Sequence, residues 1–193
     1  MSVGKERLIV NCGATTFKGE TWQNVLRSTA AHSTVILDDH NSSNLNERCG
    51  CTNNLINVSS CMKEIGGQAV IEAQTDGYSE KFGLTHKRII SMSRDGTEIL
   101  GEDQLNGLCR SRYVVRFHLH PNIQATLIQN GKAVLLKPRR EVGWKLTTFN
   151  QEVSLEDSIY LDESVRSRRT QQVTIMGELF ERVTSVKWRL TRI

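Results

Sequence analysis

The chain has 193 residues, 38% hydrophobic and 24% charged, which is enough for one domain with a buried core. A net charge of +4 is too mild for the basic footprint of a nucleic-acid-binding protein, so no nucleic-acid partner is expected. No apolar run approaches the ~20 residues that cross a bilayer, and residues 1–10 lack the apolar core of a signal peptide.

Taken in order, residues 6–11 read as a strand ended by Cys12-Gly13. A short helical turn is expected near Trp22 to Arg27. Residues 33–38 read as a strand with His32 at its head and Asp38 and Asp39 at its foot. Residues 39–61 are polar and too long for a turn. Residues 68–75 form a strand leading to Asp76-Gly77-Tyr78.

Two hairpins follow. Segments 86–93 and 97–100 flank Arg94-Asp95-Gly96, where Asp-Gly supplies the positive φ of a tight turn. Segments 123–128 and 132–136 flank Gln129-Asn130-Gly131 in the same way. Between them, residues 113–120 alternate: Val115, Phe117 and Leu119 go to one face, and Arg116, His118 and His120 to the other. Strands over 144–149, 154–161, 170–176 and 184–190 complete the set. Roughly ten or more strands at near-regular spacing, with little helix, predict an all-β chain, a large antiparallel β-sandwich of two packed sheets forming one domain over 1–193. Five cysteines, an odd number, argue against a complete disulfide framework.

Four groups of residues are candidates for chemistry. His32, at a strand head, can ligate a metal or carry a proton, or be held by hydrogen bonds for structural reasons. His118 and His120, two apart on a strand, share a face and make a two-histidine metal arm geometrically possible. Cys49, Cys51 and Cys61 with His40 have the types for a structural zinc, but Cys-x-Cys is tighter than the usual spacing. Asp76-Gly77-Tyr78 with His86 and Arg88 holds a tyrosine and a histidine, an acid–base pair suited to β-elimination. No phosphate loop, nucleophile elbow or His-Glu-x-x-His helix is present.

Several strings together carry a family resemblance: Arg7-Leu-Ile-Val-Asn-Cys-Gly13, Arg27-Ser-Thr-Ala-Ala-His-Ser-Thr-Val-Ile-Leu-Asp-Asp39, Asp76-Gly-Tyr78, Gly83-Leu-Thr-His-Lys-Arg88, Gly101-Glu-Asp103, Arg116-Phe-His-Leu-His-Pro121, Gly143-Trp144 and Leu155-Glu-Asp-Ser-Ile-Tyr160. In this order the chain resembles the C-terminal β domain of heparinase II/III-like polysaccharide lyases. The resemblance implies a preceding helical toroid that supplies the catalytic tyrosine and the group neutralising the uronate carboxylate. It implies β-elimination of an acidic, uronate-containing polysaccharide by the full-length protein, with export to the periplasm common in the family.

It also implies a zinc corner, in which His32 matches one ligand and Asn11 falls where an aspartate is usual. The remaining ligand strand would lie before Met1, so the chain looks truncated within its β domain. On that reading the chain is inactive alone. It keeps only a remnant metal site at His32 and Asn11, has no catalytic residue of its own, and exposes the edge of residues 6–11 to pairing with a second copy. The alternative from a different class is a free-standing carbohydrate-binding or structural β-sandwich. A third, a self-contained metal enzyme, would need zinc at His32 with two further good ligands.

Overall fold

A computed structural model describes residues 1–15, 19–43, 56–164 and 166–193. In chain order the elements are β1 (Ser2–Val3), β2 (Glu6–Arg7), β3 (Ile9–Val10), α1 (Glu20–Arg27), β4 (Val35–Leu37), β5 (Val58–Ile65), β6 (Gln68–Thr75), α2 (Ser79–Phe82), β7 (Thr85–Met92), β8 (Glu98–Asn106) and β9 (Arg112–Leu119). They continue with β10 (Gln124–Ile128), β11 (Ala133–Lys137), β12 (Trp144–Thr148), β13 (Val153–Leu161), β14 (Ser167–Glu178) and β15 (Val183–Arg192).

The expected all-β sandwich is what forms. One sheet has eight strands in the order β10-β11-β12-β15-β8-β7-β6-β5, and the other runs β13-β14-β9-β3, with β4 also paired to β9. Among the described residues every ladder is antiparallel, and each strand alternates its side chains between faces. Val115, Phe117 and Leu119 of β9 point inward against Val186, Trp188 and Leu190 of β15, and all six are buried. The Phe117 and Trp188 rings meet edge to face, 5.0 Å between centroids.

Both expected hairpin turns form. Gly96 has φ 68°. In the second, Gln129, Asn130 and Gly131 take φ of 54°, 54° and 81°, a left-handed run that Asn and Gly tolerate best.

Three readings need correction. The strand over 6–11 is broken at Leu8, whose N–H donates to the Met1 carbonyl (3.0 Å) while its side chain is buried. Residues on either side therefore go to different partners: β2 pairs with β1, and β3 pairs with β9. The strand over 33–38 is shorter than expected. Residues Thr29–Ala31 form a 3-10 turn, and Asp38 and Asp39 adopt φ of 43° and 58°, so only Val35–Leu37 stays extended. The polar excursion over 39–61 ends early, because β5 begins at Val58; its continuous exposure left no alternation to read.

A second, smaller core lies on the outer face of the five-stranded sheet. Leu26 of α1 and Ala31 cover Cys12 and Leu161, with Trp22 and Ile159 packed alongside. This layer buries His118, which therefore does not reach solvent.

Within the eight-stranded sheet, Gly101 of β8 lies directly opposite Trp188 of β15. A methyl group there would run into the Trp188 indole. Trp188 cannot retreat, because its N–H is bonded to a buried carboxylate and Phe117 packs on its ring. Gly101→Ala is expected to destabilise the fold by about 1–3 kcal/mol, the usual cost of overpacking, measured by urea unfolding. A variant as stable as the parent would show that the indole has room to move.

Candidate functional site

The sheets part at the end of the sandwich where β3, the turn before His32 and the start of β13's C-terminal loop meet. A groove of about 490 Å³ opens there, lined by Arg7, Asn11, His32 and Tyr160 among others. It adjoins a cavity of about 440 Å³ that runs between the sheets past Arg88, Phe117 and Trp188. The two share Met1, Ile9, Val10 and Asn11 as their common wall.

The groove's polar groups are held in place by their neighbours. Arg7 donates from Nη1 to the Tyr160 hydroxyl (2.9 Å) and from Nη2 to Glu163 (3.0 Å). Glu163 is largely exposed, so it screens the arginine only weakly. His32 is half-buried, and that burial lowers its pKa from the ordinary value. His120 packs edge to face on Tyr160, 5.0 Å between centroids. Burial, then the Arg168 and Arg7 charges, hold it below its usual value as well. Arg7 and Arg168 thus flank His120 at this end of the sandwich, with Glu6 acting against them.

The structure places His32 and Asn11 on the same groove. The donor set there does not fit a zinc ion. Asn11 Oδ1 already accepts the Ser33 N–H (2.9 Å), which straps β3 to the segment leading into β4. Among the described residues no group of three His, Cys, Asp or Glu side chains is placed to hold a metal. Zinc needs three or four such donors, and a neutral carboxamide is a poor substitute for one.

The other candidates are dispersed. His118 Nε2–H donates to the Ala30 carbonyl (2.9 Å), which leaves Nδ1 to accept from the Ser158 hydroxyl (2.8 Å); the Cys12 thiol lies 3.5 Å from the same nitrogen. His120 lies beyond the strand end, its Nδ1 accepting from Asn122 N–H (3.3 Å). The two histidines form no shared arm. Cys61 sits on the exposed edge strand β5, opposite Glu72. His40 donates to the Asp38 carbonyl (2.6 Å) and packs on Phe82. Cys49 and Cys51 lie outside the described residues.

The Asp76-to-Tyr78 group also resolves into structural parts. Asp76 accepts from Asn57 N–H (2.8 Å) and its side-chain amide (2.6 Å), closing the loop onto β5. Tyr78 is buried, its hydroxyl donating to the Val35 carbonyl (2.8 Å), and burial pushes its pKa well above the ordinary value. It is not an available acid or base.

His86 and Arg88 do come together, on a residue that sequence reasoning had noted only within a string. Asp103 of β8 is fully buried. Its Oδ1 accepts from His86 Nε2 (2.7 Å) and Arg88 Nε (2.7 Å). Its Oδ2 accepts from Arg88 Nη2 (3.1 Å) and Trp188 Nε1 (3.0 Å). Burial alone would raise the carboxyl's pKa, but the Arg88 charge and these hydrogen bonds outweigh it and hold the group at about 2. Arg88 then crosses the sandwich, donating from Nη1 to the Ser33 carbonyl (2.6 Å). One carboxylate thus locks β7, β8 and β15 to the segment that carries His32. A signal was present: an aspartate on the inward face of a strand, between Gly101 and Leu105, needs buried donors.

Residues 1–189 match the model of the family described as "Heparinase II/III-like, C-terminal". The chain belongs to that family. Heparan sulfate lyase HepC from Pedobacter heparinus superposes on it with a TM-score of 0.80 at 12% identity, over 99% of this chain and 29% of the lyase. Heparinase III gives a TM-score of 0.70 at 12% identity, over 96% of this chain and 27% of that one. At such identities the likeness shows the shared fold. In sequence, FtsZ-localized protein C of Caulobacter vibrioides (strain NA1000 / CB15N) is 29% identical over 141 residues, which is 67% of this chain and 24% of that protein. The heparinase II/III-like C-terminal chain thus spans roughly a quarter of the length of the proteins it matches. Among its described residues no helix is long and apolar enough to cross a membrane.

Proposed function

We propose that this chain is the non-catalytic β-sandwich part of a heparinase II/III-like protein, that it binds acidic polysaccharide at the groove between Arg7, His32 and Tyr160, and that it packs against a helical N-terminal domain. The observation that carries the reading is the groove itself: an open cleft lined by an arginine, a tyrosine and an imidazole, with the His120 ring packed behind the tyrosine. An arginine suits a uronate carboxylate or a sulfate, and a tyrosine face suits a sugar ring. β-Elimination needs a carboxylate neutraliser, a base and an acid held together. Here Tyr160 is engaged with Arg7, and Tyr78, His86 and His118 are buried in structural bonds. The chain by itself therefore carries no elimination.

The test is a titration of the chain with heparan sulfate, run alongside an ultraviolet assay for unsaturated uronate product. Binding without product is expected. Arg7→Ala should weaken it by roughly tenfold, as for loss of a charge-assisted contact. Turnover by the chain alone, or binding indifferent to Arg7, would overturn the reading.

A second reading has one observation in its favour. The sequence likeness to FtsZ-localized protein C, 29%, exceeds the 12% shared with the lyase structures above. On that reading the sandwich is a protein-binding module of a protein that localises with FtsZ. It predicts no affinity for heparan sulfate and co-localisation of the tagged chain with FtsZ.

A further inference from the structure

We infer that the outer edge of the eight-stranded sheet is a self-association surface, and that two copies of this chain pair antiparallel along β5. The expected dimer edge at residues 6–11 is not suited to the role. Its extended part is two residues long, and Met1 folds back over it, donating to the Ile9 carbonyl (2.8 Å). β5 is different. It is the last strand of its sheet, eight residues long, exposed throughout, without proline, and among the described residues it is paired on one side only. Such an edge is a template for a further strand.

Its side chains strengthen the case. The register places Val58, Ser60, Met62 and Glu64 on the face that, three strands further in, is the inter-sheet core. The smaller sheet does not reach this far. Val58 and Met62 are each 72% exposed, and Ile71 beside Met62 is 45% exposed. Natural edges are commonly protected by a central lysine. The one here, Lys63, leans back over its own sheet towards Glu72 (3.7 Å), which also holds Lys87 (2.9 Å).

The strand is self-complementary in one register. A two-fold axis perpendicular to the sheet keeps each side chain on its own face, so the axis must pass beside a residue that meets its own copy. Centred on Cys61, the overlap runs over 58–64. Lys63 then faces the partner's Ser59, Glu64 faces the partner's Val58, and Met62 lies diagonal to the partner's Met62 and the partner's Val58. No like charges are opposed or diagonal. Centring on Met62 sets Lys63 diagonal to the partner's Lys63, which opposes pairing. Centring on Lys63 opposes the two lysines directly, and centring on Ser60 shortens the overlap. The charges therefore select a second copy, in the register that places the two Cys61 residues face to face. Opposed Cα atoms of antiparallel strands lie about 4.5–5.5 Å apart, within the span of a disulfide.

The test uses the 193-residue chain with Cys49→Ser and Cys51→Ser. Light scattering over a concentration series should show mass rising towards the dimer. Met62→Lys, at a solvent-facing position, should reduce the association constant by roughly tenfold or more with unchanged circular dichroism. Oxidised glutathione should accept the electrons of the two thiols and give a covalent dimer that Cys61→Ser abolishes. A chain that stays monomeric at its highest soluble concentration overturns the inference. So does a dimer that ignores Met62→Lys or fails to cross-link through Cys61.

Discussion

Asp103→Ala is expected to cost the fold about 3–5 kcal/mol, the range for breaking a buried ion pair by removing one partner. The variant would leave the Arg88 guanidinium, the His86 imidazole and the Trp188 N–H inside the sandwich without the acceptor they share. For a chain of this length such a loss lowers Tm by roughly 10 °C. Burying apolar side chains in place of the whole set need not be costly, so the effect comes from orphaned donors rather than from the pair's own attraction. Chemical unfolding of Asp103→Ala beside an exposed control, Glu181→Ala, decides the matter. A difference under about 1 kcal/mol, typical of a surface substitution, would mean that water replaces the carboxylate. The variant has a second consequence. Because Arg88 also holds the Ser33 carbonyl, freeing it loosens the segment that places His32 in the groove. Polysaccharide binding is thus expected to weaken in Asp103→Ala even though Asp103 does not line the groove.

Much of this architecture was legible in the sequence because one physical rule, apolar alternation on a half-buried strand, governed most of the chain. β9 is the clearest case: Val115, Phe117 and Leu119 were assigned inward and are buried. The rule fails where a strand has no buried face. β5 is exposed along its whole length, so nothing in Val58 to Ile65 marked it off from the preceding polar stretch. It also fails where a polar face is covered by something else. His118 was placed on the outer side of β9 correctly, but the sequence holds no local sign that α1 and the 3-10 turn would fold over it. The site residues show the same division. Asn11 and His32 line one groove, yet the Asn11 side-chain carbonyl is engaged by a backbone N–H twenty-two residues away, a pairing no spacing rule reveals. Asp103 was visible as a residue and invisible as a hub, because its partners come from β7 and β15.

The covered histidine leads to the second large effect, a loss of stability in mild acid. Burial is the main influence on His118; the Arg116 and His32 charges work with it and the Ala30 carbonyl against it, and the imidazole is held at about 4 against an ordinary 6.5. Between those values the unfolded chain binds a proton that the folded one does not. Stability contributed by the neutral ring is therefore complete above pH 6.5 and drains away as pH falls towards 4. The size is about 3 kcal/mol, at roughly 1.4 kcal/mol per unit. His32 and His120 are lowered too, so both add to the loss in the same direction. Asp103 does not contribute in this window. Its carboxyl is depressed, so its share persists above 3.8 and is lost only as pH falls through about 2. Two acid limbs are thus expected, the upper set by imidazoles and the lower by a carboxylate. Urea midpoints taken from pH 7.5 down to 1.5 would resolve them. His118→Gln should be less stable than the parent at pH 7, since Ser158 and Ala30 lose their fitted partner, and should show a shallower decline between 6.5 and 4. A parent whose stability is flat across that interval would mean that the ring protonates in place, with the Ser158 hydroxyl turning to accept the new N–H. The smaller core over Cys12 would then be tolerating a charge that its burial should forbid.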